Sequence, residues 1–513
     1  MMSVESFDRP PPRRLRKVVG ALVLAAAVAI GIVTPPALPA EAADPMEGYL
    51  FAYFSGEGTA DGEQIRFAVS RGNNAIEYDV LNQGRPILVS TVGTRGVRDP
   101  HVLRKQDGSF VLIATDLRIY GNGNWDASQR TGSRSIVIWE STDLVNWSAP
   151  RLQVVADATA GNVWAPEAIW DPSLNAYVVF WASKIYSTGD PNHTANTYNK
   201  MLYATTTDFR TFSTPSVWKD PGYSVIDSTV IADAGSFYRF TKDERGTGTS
   251  SPCGKFIIQE RSTVLTSTNY TFQRDCIGQG SVGAGEGPTI VKSNTENRWY
   301  LFIDEFGGRG YVPFTTTDLT SGTWTEVANA ALPNNPRHGS VMQITRAELL
   351  RLAGATTQIA PTLGNTSMRA TTAGYTNYYW RHRDYVGVTA ATTSSSSTVE
   401  KLDSTFTVVS GLANPSCASF RSRNCPDRYL RHYGLALRLD TATTATANAD
   451  ATFCAVPGKS GTGVSWRSYN VPTRFIRHYN NALYISSSGG TNAFDSTTNF
   501  NADVTWAYSA PWG

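Results

Sequence analysis

The segment Glu140-Ser-Thr-Asp143-Leu-Val-Asn-Trp147 decides the fold, because it recurs. Thr206-Thr-Asp208-Phe-Arg-Thr-Phe212, Thr266-Ser-Thr-Asn269-Tyr-Thr-Phe272 and Thr316-Thr-Asp318-Leu319, leading to Trp324, repeat its order of hydroxyl residue, Asp or Asn, and aromatic ring. Ser70-Arg-Gly-Asn73-Asn-Ala-Ile-Glu-Tyr78 is a degenerate fifth copy. Asp and Asn favour turns because their side chains bond the backbone two residues on. Each copy therefore reads as the turn into the outermost strand of a small sheet, with its ring packed against the sheet behind it. Around the marks lie short apolar or alternating runs such as Tyr49–Phe54, Phe110–Ile113, Ala176–Trp181 and Trp299–Ile303. Turn residues separate them and long helical periodicity is nearly absent, which is an all-β pattern.

Five polar segments open the runs that follow the marks: Arg98-Asp99-Pro100-His101, Trp164-Ala165-Pro166-Glu167, Ile226-Asp227-Ser228-Thr229, Gly285-Glu286-Gly287-Pro288 and Arg337-His338-Gly339-Ser340. Five outer marks and five inner starts predict a five-bladed β-propeller. The last inner strand, Ser340–Ile344, lacks three partners, and the first three strands, about Tyr49 to Leu81, lack an inner one. Joined, they form one blade from both ends of the domain and leave no open edge to aggregate.

Innermost strands of a propeller line its central cavity. Asp99, Glu167, Asp227, Glu286 and His338, separated by 68, 60, 59 and 52 residues, are therefore predicted to converge, one from each blade. Acids brought together in a concave site repel one another and hold their protons more tightly, at a cost in stability that suggests use. Glycoside hydrolysis uses such a set: one protonated carboxyl for the leaving oxygen and one carboxylate for water. Asp61, in Thr59-Ala60-Asp61-Gly62, reads instead as a turn residue of the shared blade.

Arg98-Asp99-Pro100, Ile226-Asp227 and Glu286-Gly287-Pro288, together with Trp164-Ala165-Pro166-Glu167 and Arg337-His338-Gly339, resemble the motifs of family 43 glycoside hydrolases over about residues 48–345. The resemblance implies that Asp99 is the general base, Glu286 the general acid and Asp227 a carboxyl that raises the acid's pKa and orients it. It implies inversion, with the base and acid about 6.5–9.5 Å apart. It also implies that His338 is a channel residue meeting a calcium or water, that Trp164 offers the sugar an apolar wall, and that Glu167 stands behind the reacting groups. No cofactor is required for this chemistry; a structural calcium in the propeller channel is the one metal implied. The absence of a Trp-x-Asn-Asp-Pro opening and of Glu-Cys at the acid position sets aside a fructan hydrolase.

A second repeat fills the C-terminal third. Tyr378-Tyr-Trp-Arg381-His382, Arg428-Tyr-Leu-Arg431-His432 and Arg474-Phe-Ile-Arg477-His478 are each followed by an Asp, at 403, 450 and 503. Three repeats of about 50 residues predict a β-trefoil. They resemble the arabinofuranosidase B-type arabinose-binding domain, the family 42 carbohydrate-binding modules, over about residues 366–513. That resemblance implies one sugar pocket at His432, Tyr433 and Asp450 and another at His478, Tyr479 and Asp503. The first repeat, with His382 and Asp403, is less regular.

At the N-terminus, Arg13-Arg14-Leu15-Arg16-Lys17 precedes a 16-residue apolar run, Val18 to Val33, then Pro35, Pro36, Pro39 and Ala40-Glu41-Ala42. The run is short of the roughly 20 residues a spanning helix needs, so residues 1–42 are expected to be a secretory signal and the protein to be secreted and extracellular. Those residues hold five of the 45 basic side chains and three of the 43 acids, which leaves a formal charge of zero. Nucleic-acid and membrane-surface binders carry a basic excess; a neutral polysaccharide fits better. Charged residues are only 17% of the chain and aromatics reach 11%, far from a disordered composition. Export permits disulfides: Cys253 is expected to pair with Cys276 and Cys417 with Cys454, leaving Cys425. No cysteine spacing reads as a zinc site.

The expected organisation is a signal over 1–42, a catalytic propeller over 43–345, a linker over 346–365 with a short helix at Arg346–Leu352, and a carbohydrate-binding trefoil over 366–513. The expected function is that of a monomeric, inverting α-L-arabinofuranosidase acting on arabinose-containing plant polysaccharide, arabinan or arabinoxylan. A β-xylosidase or endo-arabinanase of the same family is the nearest rival, and a non-catalytic carbohydrate-binding protein the rival from another class.

Overall fold

A computed structural model describes residues 44–354 and 358–513; the expected signal, residues 1–42, lies outside the described residues. Five four-stranded antiparallel sheets follow one another. From inner to outer strand, the first blade runs Val97–Arg104, Phe110–Asp116, Ser135–Ser141, Arg151–Val154. The second runs Trp164–Asp171, Ala176–Lys184, Asn199–Thr206, Ser216–Lys219. The third runs Val225–Asp233, Ser236–Asp243, Ile257–Ser262, Thr271–Ile277, and the fourth Glu286–Lys292, Trp299–Glu305, Gly310–Thr316, Thr325–Glu326. The fifth takes its inner strand, Arg337–Thr345, from the end of the domain and Met46–Phe54, Arg66–Arg71 and Asn74–Val80 from the beginning. Each inner strand contacts the inner strands on both sides of it, so the ring is closed. The fold is all-β, and its first part is a five-bladed propeller.

The repeated marks work as turns. Asp143 Oδ1 accepts from the backbone N–H groups of Val145 and Asn146 at 2.9 and 2.7 Å, and Asp208 Oδ1 from those of Arg210 and Thr211 at 2.8 and 2.9 Å. The hydroxyl ahead of each Asp, Ser141 or Thr206, accepts from the N–H three residues on. A ring of three of the marks reaches the neighbouring blade, in the third Tyr270 rather than the exposed Phe272 that ends it. Trp147 meets Phe67 of the fifth blade, Tyr270 meets Trp218 of the second and Trp324 meets Phe240 of the third. The repeat thus joins the blades, and apolar clusters fill the spaces between them. Asp61 lies exposed in the turn between Met46–Phe54 and Arg66–Arg71, paired with Arg66.

After the helix Arg346–Leu352 the chain enters a predominantly β body, a single twelve-stranded sheet. Three hairpins, Tyr378–Arg383 with Val386–Ala391, Tyr429–Tyr433 with Ala436–Asp440 and Phe475–Tyr479 with Ala482–Ser486, pair with one another through Val386–Arg438, Val388–Ala482 and Ala436–Tyr484. Trp380, Phe420, Trp466 and Trp506 lie in its core. Disulfides join Cys253 to Cys276 and Cys417 to Cys454, while Cys425 is a free thiol. Among the described residues no helix is long and apolar enough to cross a membrane.

Candidate active site

The inner strands do not run straight through the channel. Register shifts interrupt their pairing between Arg98 and His101, Trp164 and Glu167, Ile226 and Ser228, and Glu286 and Thr289. At those breaks Asp99, Ala165, Asp227 and Gly287 adopt left-handed backbone, with φ of 53, 49, 52 and 50°. A bulge of this kind re-aims a side chain, and strained backbone gathers at functional sites. Asp tolerates the left-handed region better than most residues. At Gly287 only glycine serves: a Cβ there would lie 2.4 Å from Cγ of His338.

The bulges bring together the predicted set. Thr115 Oγ1 accepts from Ala165 N–H at 2.8 Å and donates to Asp99 Oδ2 at 2.7 Å. The other oxygen, Asp99 Oδ1, is 3.5 Å from His338 Nδ1, and Asp227 Oδ2 is 3.9 Å from the same nitrogen. Asp227 Oδ2 accepts the N–H of Gly287 at 3.1 Å, next along the chain from Glu286. Glu286 Oε1 takes Arg337 Nη2 at 2.7 Å and Oε2 takes Lys242 Nζ at 2.8 Å. Asp304, fully buried, accepts from Arg337 Nε at 2.8 Å and His338 N–H at 3.0 Å.

Electrostatics distribute the protons differently from the sequence-based expectation. Burial pushes the Glu286 carboxyl up, but Lys242 and Arg337 outweigh it and hold the group down to about 2. Burial and the neighbouring Glu286 charge push Asp227 well above the carboxylate range. The direction at Glu286 is therefore opposite to the one expected, because the two cations, from adjacent blades, outweigh burial and the like charge of Asp227. Burial keeps His338 a neutral imidazole.

Glu167 lies beside His101, whose Nδ1 is 3.6 Å from Oε2 and whose Nε2 bonds Ala168 O at 3.0 Å. Burial raises Glu167 and lowers His101 to about 4, so both are neutral. Trp164 is half-buried and meets the exposed Trp125 edge to face at 6.0 Å. Trp125 in turn covers the guanidinium of Arg98, the residue before Asp99, at 5.0 Å. A channel calcium, which the family resemblance implies, would find at His338 one neutral imidazole. Among the described residues the only three His, Cys, Asp or Glu ligand atoms within reach of one ion belong to Cys253, Asp275 and Cys276, and the two sulfurs are already joined. One imidazole without a cluster of carboxylate oxygens does not by itself make a calcium site, because calcium takes about six to eight oxygen ligands.

Lys242 and Asp304 were not singled out by sequence reasoning. Lys242 sits near the end of Ser236–Asp243, where a charge reads as an ordinary strand-end residue. Its Nζ also takes Glu244 Oε2 at 2.8 Å, so the cation is shared between two carboxylates. Removing it in Lys242→Met should raise the pKa of the Asp227–Glu286 pair by roughly one to three units. The alkaline limb of the kcat/KM profile, which reports the free enzyme's acid, is expected to move up accordingly. An unmoved limb would show that Lys242 does not control the proton.

In the C-terminal body each predicted His–Asp pair is completed by a third residue that sequence reasoning missed. His432 Nε2 donates to Asn470 Oδ1 at 3.0 Å, and Asn470 Nδ2 donates to Asp450 Oδ1 at 2.8 Å. His382, Asn424 and Asp403 repeat this at 2.9 and 2.7 Å, so the first repeat is as regular here as the second. In the third, Thr372 Oγ1 accepts from His478 Nε2 at 2.9 Å and donates to Asp503 Oδ1 at 3.0 Å. Each Asp ends a short helix: Thr398–Asp403, Ala445–Asp450 or Phe500–Asp503. The available signal was Ser422-Arg-Asn424 matched by Ser468-Tyr-Asn470. Tyr433 is exposed beside its His, and Tyr479 half-buried beside its own.

Residues 44–349 match the family described as a probable glycosyl hydrolase domain, and residues 368–508 match the alpha-L-arabinofuranosidase B domain. An alpha-L-arabinofuranosidase of Bifidobacterium longum is 32% identical over 377 residues, 62% of this chain and 35% of that protein. An alpha-L-arabinofuranosidase of Hypocrea jecorina is 41% identical over 192 residues, 37% of this chain and 38% of that one. A probable alpha-L-arabinofuranosidase B of Aspergillus fumigatus is 42% identical over 228 residues, 44% of each chain. The chain thus spans less than half the length of each of these relatives. With most of its length inside the first of the two matches, and the bulged carboxylates at the heart of that part, the chain belongs to the family of probable glycosyl hydrolase domains related to family 43, joined to an alpha-L-arabinofuranosidase B domain.

Proposed function

We propose that the chain is an exported, inverting α-L-arabinofuranosidase that releases arabinose from arabinan or arabinoxylan. The observation that carries the reading is the meeting of Asp99, Asp227 and Glu286 around His338, at bulges of three inner strands. In it Asp99 Oδ1 takes a proton from water as that water attacks the anomeric carbon, while Thr115 fixes the other oxygen. Glu286 gives a proton to the leaving oxygen. Glu286 must carry that proton when the sugar is bound, and Lys242, shared between Glu286 and Glu244, is the cation whose hold on it has to weaken. Trp164 and Trp125 wall the sugar. The named activity of the relatives supports arabinoside over xyloside.

The C-terminal body is read as a β-trefoil that holds arabinofuranose side chains. Each of its three networks borrows its third residue from the start of the next repeat: Asn424, then Asn470, then Thr372 back at the beginning. That cyclic exchange favours a threefold arrangement. His, Asn and Asp side chains supply the donors and acceptors a polyol needs, and tethering such pockets to the propeller raises local substrate concentration. Two disulfides accord with export.

A panel of aryl arabinofuranosides, aryl xylosides and debranched arabinan tests the substrate, and proton NMR of the first product anomer tests inversion. Release of arabinose with inverted configuration is expected; a retained anomer would refute the role of Asp99. No release from any of them would favour a binding protein, the reading suggested by a Glu286 pinned between two cations. Replacing His432 and His478 by Ala is expected to weaken retention on insoluble arabinan by about tenfold or more. Unchanged retention would leave the two networks as staples of the fold.

A further inference from the structure

A cavity of about 680 Å³ lies between the propeller and the second of the three His–Asp networks. One wall carries His432, Tyr433 and Asp450; the other carries Arg71 and Glu77, on the hairpin of the fifth blade's two outer strands, and Arg346, at the start of the helix that leaves the propeller. The hydrogen bonds of the other two His–Asp–Asn or His–Asp–Thr sets run within the C-terminal body. The second set is different, because its loop is docked. Arg346 Nη2 donates to Tyr469 O at 2.9 Å and its guanidinium lies 3.6 Å over the Tyr469 ring. Thr473 and Arg474 bind Asp79 of the propeller. Between these anchors Gly72, left-handed at φ +61°, sits so close that a Cβ would lie 3.1 Å from Asn470 O. Asn470 is the residue that holds both His432 and Asp450.

The wall facing this network has the chemistry of a neutral polyhydroxy ligand. Arg71 is paired with Glu77 at 3.1 Å and Arg346 with Glu47 at 3.2 Å, so the charges of the propeller wall balance and call for no ionic partner. Tyr433, 62% exposed, presents a ring to which the C–H face of a sugar can stack. The volume falls within the ~300–1,000 Å³ range of pockets that take drug-sized ligands. That is room for two or three sugar units, more than a single pentose requires.

We propose that this cavity is a composite oligosaccharide-binding site. One pentofuranose sits against His432 and Asp450, and the sugars attached to it lie on the Arg71–Glu77 hairpin and Arg346 of the propeller. The proposal rests on the reading that the C-terminal body binds arabinofuranose, and it adds that the catalytic domain itself reads the sugars next to the one held.

The test uses the full chain with Glu286→Gln to stop turnover and 3-fluorotyrosine placed only at position 433, so that the fluorine resonance reports this cavity alone. Titration with methyl α-L-arabinofuranoside and with arabinotriose should give a trisaccharide affinity about tenfold above that of the monosaccharide. Glu77→Gln, or Asn73→Ala at the tip of the same hairpin, should bring the trisaccharide down to the monosaccharide's level and leave the monosaccharide within twofold. Equal affinities for the two ligands before any change to the hairpin, or a preference untouched by both hairpin variants, would overturn the composite site. If His432→Gln leaves both titrations unchanged, or neither sugar moves the resonance, the arabinofuranose reading of the domain has failed instead.

Discussion

Glu286→Gln is expected to lower kcat/KM on arabinan by about a hundred- to ten-thousandfold, the usual contribution of a general acid. The size of the loss should depend on the leaving group. A sugar hydroxyl leaves as an alkoxide unless protonated, whereas a nitrophenol leaves readily without help. The same variant should therefore lose much less on 4-nitrophenyl arabinofuranoside. Asp99→Asn removes activation of the attacking water, which both substrates need alike, so it should lower both by similar factors. Gln is the right replacement at position 286. Its carbonyl can still accept from Arg337, whereas Ala would strand two cations, one of them the deeply buried Lys242. Equal losses on the two substrates for Glu286→Gln would sink the assignment of the acid.

Much of this architecture was legible because it is periodic. The marks at Asp143, Asp208, Asn269 and Asp318 recur with the blades, and the inner starts recur between them, so a residue's position in the repeat gave its place in the ring. Asp99, Asp227 and Glu286 could be placed in one channel for that reason. The ionisation of the site could not be read. It depends on Lys242, from the second strand of the third blade, and Arg337, from the inner strand of the fifth, converging on one carboxylate. Lys242 does not differ in pattern from an ordinary charged residue at a strand end, and Arg337, although it stands in the Arg337-His338-Gly339 motif, carries no sign there that it pairs with Glu286. The bulges were also hidden, since Ala165 carries no sign of its left-handed backbone, although Gly287 does. In the C-terminal body, His and Asp stood out through repetition, while Asn424, Asn470 and Thr372 did not. The third position changes residue type, and it is contributed by the next repeat rather than by the one it serves.

The largest effect on stability is expected at Asp79, where propeller and C-terminal body are joined. Asp79 is 4% exposed and Arg474 1%, with Asp495 fully buried on the other side of Arg474. The Asp79 carboxylate takes Arg474 Nη2 at 2.6 Å, Thr473 Oγ1 at 2.6 Å and Arg71 Nε at 2.9 Å, so each of its oxygens is satisfied by charge or hydroxyl. Arg474 Nη1 is held by Asp495 at 2.9 Å. Asp79→Ala leaves Arg474 with Asp495 alone and Arg71 with Glu77 alone, at a junction where both guanidinium groups are largely buried. Breaking a buried pair from one side costs about 3–5 kcal/mol. That cost falls on docking, because Asp495 still serves Arg474 within its own body. Urea, which does not screen charge, is the proper denaturant. Wild type should unfold in one transition and Asp79→Ala in two, one for each body. Asp79→Ala combined with Arg474→Met removes both charges and should recover a large part of the loss. Burial pushes the Asp79 carboxyl up, but Arg474 and Arg71 outweigh it and hold the group below its usual range. A lowered carboxylate contributes fully above its unfolded value of about 3.9 and loses the contribution as pH falls through the folded value. Docking in wild type should therefore be independent of pH between about 5 and 7, and weaken below about 4. A single urea transition in Asp79→Ala, at the wild-type midpoint, would show that the two bodies are held by something other than this ion cluster.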